Sequence, residues 1–149
     1  MIYDITQELF SCSVFPGDPS PEMRRDMSIS NGDIVNLTSF SMCAHNGTHI
    51  DSPYHFYDDG KTIDKVPLEK FIGDCYVACC KGAVGREDAE QVLARAREEG
   101  AAKRILIKGD AYITEEAAAV LADNGIWLIG NESQTVGPLS GPMQVHLVL

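Results

Sequence analysis

Between residues 34 and 42, polar and apolar positions alternate through Asn36, Leu37, Thr38, Phe40 and Ser41, a period of two that predicts a strand. Residues 2–6 read as an earlier strand, and Phe15-Pro16-Gly17-Asp18-Pro19 as a turn-rich loop. A further strand is predicted within residues 71–80, at Tyr-Val-Ala-Cys-Cys. The period then changes. Over 86–99, Ala89, Val92, Leu93 and Ala96 recur at helical spacing among charged positions, and Gly100 supplies a stop. Arg-Ile-Leu-Ile-Lys at 104–108 has the form of a short buried strand. Thr114 can cap a second helix, whose first turn carries Glu115 and Glu116 where the helix dipole favours them, and Asn124-Gly125 can end it. Strands are predicted at 127–130 and at 144–149, the latter reading Gln-Val-His-Leu-Val-Leu.

Several strands followed by helix, strand, helix, strand and strand make an α/β class with a mixed sheet. No repeat, low-complexity tract or linker interrupts the chain, so residues 1–149 are expected to form a single domain. The fraction of hydrophobic residues, 44%, is ordinary for a globular protein, and no run approaches the roughly 20 apolar residues of a membrane helix. The opening Met-Ile-Tyr-Asp-Ile-Thr-Gln-Glu-Leu has neither a basic region nor an apolar one, which points away from a signal peptide and toward a cytoplasmic location. Five cysteines without framework spacing fit a reducing compartment, and Cys79-Cys80 reads as core packing. A net charge of −10 with scattered basic residues argues against nucleic acid, because phosphate binding needs concentrated Lys and Arg.

Composition names no ligand, but one stretch does. Three of the four histidines, His45, His49 and His55, fall within residues 43–56 together with Asp51 and Pro53. An H-x3-H pair on a helix would place both rings on one face, yet the intervening Asn46-Gly47-Thr48 is a turn signal, so a loop is predicted. A tight loop after a strand could aim His45, His49 and Asp51 at one centre, giving a divalent ion two nitrogens and an anionic oxygen. Taken singly, each residue reads as an ordinary surface or hydrogen-bonded group; crowded around Gly and Pro, the set has no packing rationale. Asp58-Asp59-Gly60 reads as a solvated turn. Glu132, after a predicted strand, is as readily a cap as a functional carboxylate.

The pattern His45-x-Gly47-Thr48-His49-x-Asp51-x-Pro53-x-His55-Phe56 resembles the signature of the metal-dependent cyclase/hydrolase family that includes bacterial kynurenine formamidase and isatin hydrolase. Further matches are the opening Tyr-Asp-Ile-Thr-x-Glu-Leu, Phe15-Pro16-Gly17-Asp18, the Ile-Leu-Ile-Lys strand, the helix after Thr114 and Val145-His146. The resemblance implies a swivelling β/β/α fold with a mixed, barrel-like sheet and two main helices, assembled as a homodimer or higher oligomer. It also implies that His45, His49 and Asp51 are metal ligands, with His146 a second-site ligand and His55 the catalytic proton donor and acceptor. Phe15 falls where formamidases often carry a substrate-contacting Trp, and keeps an apolar plate without the indole donor.

The implied activity is hydrolysis of a small amide, an aryl formamide such as N-formylkynurenine or a cyclic amide, with zinc or manganese as cofactor and one or two ions per chain. Two departures from the family pattern open an alternative. Gly130-Asn131-Glu132-Ser133 and Thr135-Val136-Gly137 stand where many members carry Asp, and only three residues follow His146, where members continue to a strand bearing a Glu ligand. The alternative is a shortened, impaired paralogue that binds metal or small ligand without turnover.

Overall fold

The structure, a computed structural model, describes residues 2–149 and divides into two compact units, one ending at Asp51 and the other Ser52–Leu149. The first is built on an antiparallel pair, β1 (Glu22–Met27) and β2 (Leu37–Ser41), with a bulge between Arg25 and Met27. The connecting turn is closed by side chains: Asp33 accepts from the Ser28 N–H and Asn36 from the Ile29 N–H. Asp26 accepts a hydrogen bond across the pair from Ser39 and one along its own strand from Arg24. Phe15-Pro16-Gly17-Asp18 is the expected turn, with the Asp18 N–H donating to the Phe15 carbonyl at 3.0 Å.

The second unit is α/β. Strands β3 (Tyr76–Cys79), β5 (Arg104–Lys108) and β7 (Leu128–Asn131) form one parallel sheet in the order β3-β5-β7; β4 (Gly82–Val84) and β6 (Ala111–Ile113) form another parallel pair. The two ladders follow each other along the same chain segments, separated by a break at Cys80-Lys81 and Gly109-Asp110. Gly109 is required at that break: its φ is +110°, and a Cβ there would lie 2.4 Å from the Cys80 carbonyl oxygen.

Helix α1 (Arg86–Glu98) forms as the apolar spacing predicts and buries Ala89, Leu93 and Ala96. Asp88 accepts from the Gly85 N–H at its start, and Arg95 and Arg97 occupy its last turn, where the dipole favours cations. Helix α2 (Glu115–Asp123) is capped by Thr114, which accepts from the Ala117 N–H, and ends with Gly125 at φ +62°. Its buried Ala117, Ala118, Val120 and Leu121 meet Ile105, Ile107 and Ile113 in one core.

Four expectations need correction. Residues 2–6 form no strand; the Thr6 N–H is bonded by the Asp4 carboxylate and the Gln7 N–H by Thr48 Oγ1, so side-chain acceptors replace a ladder. Residues 144–149 are not a strand: Met143–Val148 is a short helix, α3, with the His146 N–H donating to the Pro142 carbonyl and Val145 buried in the core. Among the described residues, parallel and antiparallel pairings occupy separate sheets rather than one mixed sheet, and none of these sheets closes into a barrel. Cys79 is exposed, while Cys80 packs against the core, where burial pushes its thiol above the ordinary value. Among the described residues, no helix is long and apolar enough to cross a membrane.

Candidate metal centre

Strand β2 ends at Ser41 and delivers the chain into an irregular loop, as the Asn-Gly signal predicts. Asn46 organises the turn. Its N–H donates to the Cys43 carbonyl at 3.1 Å, and its Oδ1 accepts from the Cys43 N–H at 2.8 Å. Gly47 follows at φ +65°, a conformation that favours glycine. The Cys43 thiol links the loop to the preceding turn, donating to Asp18 at 3.6 Å, while the His45 N–H donates to the same sulfur. Thr48 Oγ1 ties the loop to the N-terminal segment by accepting from the Gln7 N–H. There Glu8 accepts from the Phe10 and Ser11 N–H groups, and its carboxyl lies below the ordinary range, chiefly through its hydrogen bond with Ser11.

This scaffold brings His45, His49 and Asp51 together, with one ligand atom from each lying within 4.8 Å of the others. Asp51 Oδ1 is 2.8 Å from His45 Nδ1 and 3.6 Å from His49 Nε2, and the three side chains are 28%, 24% and 28% exposed. The two imidazoles meet edge to face, with ring centres 5.1 Å apart. His49 Nδ1 lies 2.9 Å from the Gly47 carbonyl oxygen. Because a carbonyl only accepts, Nδ1 carries the proton, and in the neutral ring the lone pair is left on Nε2, the nitrogen turned to Asp51. Asp51 Oδ1 is sheltered from solvent, and its near neighbours are the two imidazoles, His45 Nδ1 at 2.8 Å and His49 Nε2 at 3.6 Å. A buried anionic oxygen of this kind is costly unless a cation or donor satisfies it. The donor set therefore fits a divalent ion.

The other expected residues lie elsewhere in the chain. Phe15 is half-buried in the 15–18 turn of the first unit. His55 belongs to the second unit and ends a short 3-10 turn, Pro53–His55, with its ring against Phe56 at 4.4 Å. His146 sits on α3, stacked on the same Phe56 ring with centres 4.4 Å apart, and its Nε2 is 2.9 Å from Thr135 Oγ1.

The departures around Asn131 have a structural explanation. Asn131 Nδ2 donates to the Thr135 and Ala111 carbonyls, and Glu132 Oε2 accepts from the Gly109 N–H at 2.5 Å, which makes that carboxylate a cap. Cys43 and Thr135 contact the candidate residues His45 and His146, Asn46 holds Cys43, and the sequence marks none of the three beyond the turn signal at Asn46.

The Cyclase family model matches residues 3–138. The chain belongs to the Cyclase family. Among Cyclase-like relatives, the kynurenine formamidase of Erythrobacter litoralis is 29% identical over 158 aligned positions, covering 97% of this chain and 72% of that protein. Two solved structures share the fold. One, described as a potential metal-dependent hydrolase with cyclase activity, superposes with a TM-score of 0.74 at 24% identity, covering 99% of this chain and 75% of its own. The other, a predicted metal-dependent hydrolase from Bacillus stearothermophilus, gives 0.73 at 22% identity, covering 99% and 76%.

Proposed function

We propose that this Cyclase family member is a metal-dependent hydrolase of a small amide, an aryl formamide of the N-formylkynurenine type or a cyclic amide. The observation that carries the reading is the His45–His49–Asp51 group, whose ligand atoms lie within 4.8 Å of one another around a sheltered Asp51 oxygen. The likeness to a kynurenine formamidase supports the choice of amide.

His45, His49 and Asp51 would hold the ion, zinc or manganese, since imidazole and carboxylate donors suit both. His146 is the candidate for a second ion's ligand. A divalent ion in such a site polarises a carbonyl and brings the pKa of water toward neutrality. His55 takes and returns the proton, because an amine anion is too basic to leave without protonation. Phe15 offers an apolar surface to an aromatic substrate. The protein acts as a cytoplasmic homo-oligomer on a small molecule, without nucleic acid or membrane.

The experiment is metal analysis of the purified protein alongside N-formylkynurenine hydrolysis with and without added Zn²⁺ or Mn²⁺. Bound metal with turnover supports the proposal. Bound metal without turnover of any formamide or cyclic amide overturns the hydrolase, and no metal under any loading overturns the centre itself.

A further inference from the structure

Helix α3 and the turn that carries His55 meet through two consecutive residues on each side. The Phe56 ring stacks on the His146 ring, with centres 4.4 Å apart and planes 19° from parallel, and the Tyr57 hydroxyl donates to the Leu147 carbonyl at 2.7 Å. Both supports on α3 are themselves fixed. Val145, 2% exposed, packs in the core, and His146 Nε2 lies 2.9 Å from Oγ1 of the buried Thr135. The Leu147 carbonyl belongs to the last turn of the helix, where carbonyls lack intrahelical donors, and the phenol supplies one. The turn is closed on itself. Gly60 N–H donates to the Tyr57 carbonyl and Tyr54 N–H to the Lys61 carbonyl, and a Cβ on Gly60 would lie 2.7 Å from the Tyr54 nitrogen. His55 touches this arrangement directly, its ring meeting Phe56 at 69° with centres 4.4 Å apart.

We propose that Phe56 and Tyr57 are positioning residues for the proton transfer assigned to His55: α3 clamps them, and the clamp sets where the His55 imidazole stands. The inference rests on the hydrolase reading above and adds the element that holds its proton carrier. Proton transfer needs the imidazole within hydrogen-bond reach of the reacting group, and a small misplacement costs much rate. A turn released from α3 spreads His55 over positions of which few are in reach. Turnover then falls while groups that bind substrate keep their affinity. His146 contributes through the face of its ring, a task separate from what its nitrogens bind.

Tyr57→Phe removes the hydroxyl and keeps the ring; Phe56→Leu removes the stacked ring and keeps apolar bulk, and Phe56→Tyr restores a ring. The full chain and each variant are compared in metal content, urea unfolding, N-formylkynurenine kinetics and backbone hydrogen exchange over residues 52–61. The expected result for Tyr57→Phe and Phe56→Leu is kcat reduced about tenfold with KM within about twofold of wild type, at unchanged metal content, and faster exchange in the 52–61 segment. Phe56→Tyr should recover most of the loss. Faster exchange without a change in kcat overturns the inference, because α3 then holds the turn to no catalytic end, and unchanged exchange in both variants overturns the clamp. A kcat loss that comes with lost metal or lost stability makes these residues supports of folding alone and also overturns it. Wild-type protein that hydrolyses neither formamides nor cyclic amides overturns the hydrolase reading itself, whereas failure of the inference alone leaves wild-type turnover intact.

Discussion

The Gly47 carbonyl oxygen, 2.9 Å from His49 Nδ1, decides which nitrogen of His49 faces Asp51. A backbone carbonyl can orient a ring in this way only while its peptide plane is held, and Gly47 holds it at φ +65°.

Gly47→Ala tests that relationship. A Cβ at this position meets Leu9 Cδ1 at 3.6 Å, an ordinary contact, so the cost comes from the backbone alone. Left-handed conformation in a residue with a Cβ costs about 1–2 kcal/mol, which urea unfolding should read as a loss of that size. Moving the carbonyl should also lower zinc affinity by roughly 10- to 100-fold, the usual penalty for losing a ligand's orienting partner. Full stability with unchanged zinc affinity would separate Gly47 from the centre.

Arg104 offers a stability test in the second unit. It is 8% exposed and donates to the carbonyls of Lys70, Asp74 and Glu69, with its guanidinium 5.2 Å from the Trp127 ring centre. Three backbone acceptors suit a planar fork better than an ammonium. Arg104→Lys should cost about 2 kcal/mol in urea unfolding, the size of one lost hydrogen bond to a charged group, and Arg104→Ala, which loses all three, should cost more than Arg104→Lys. Equal stability of Arg104→Ala and wild type would rule out this anchoring role.

Legibility in the sequence followed element length. Helix α1 was readable because four apolar positions over thirteen residues define a period, and the five-residue β5 because its apolar run is bounded. Strands β4 and β6 have three residues each, too few to show any period. Segment 144–149 misleads for a related reason: Val145, Leu147 and Val148 look β-forming, while Pro142 immediately before Met143 is the helix-start signal that the structure obeys. At the candidate centre, residue type and spacing revealed His45, His49 and Asp51. Burial revealed Asn46, and spacing does not encode burial.

Acid should uncover the Glu8 contribution. Its carboxyl is held below the ordinary 4.5 by hydrogen bonds to Ser11 and Phe10. A folded-state value lower than the unfolded one gives stability that is present above 4.5 and lost as pH falls through the folded value. Wild type should therefore exceed Glu8→Gln in stability at neutral pH, with the difference vanishing in the acid range. A difference that is constant with pH would mean that ionised Glu8 contributes nothing of this kind.

Cysteine labelling should rank the thiols. Burial, and then the nearby Asp88 and Cys79, push the Cys80 thiol up from 9.0, so its thiolate fraction at mildly alkaline pH is below that of an ordinary cysteine. Iodoacetamide with peptide mass analysis should find exposed Cys75 and Cys79 modified before Cys80. Prior modification of Cys80 would contradict its packing against the core.

His55 provides the test that separates proton transfer from metal binding. The His45–His49–Asp51 group comes together without it, and His55 rests on a 3-10 turn beside Phe56. If it moves the proton, His55→Ala should retain bound metal and lose about 100- to 10,000-fold in kcat, the range for removing a general acid or base. The comparison needs metal content measured on the same samples, because a ligand and a proton carrier both abolish turnover. Metal lost along with activity, in a protein that still unfolds cooperatively, would reassign His55 to the ligand set.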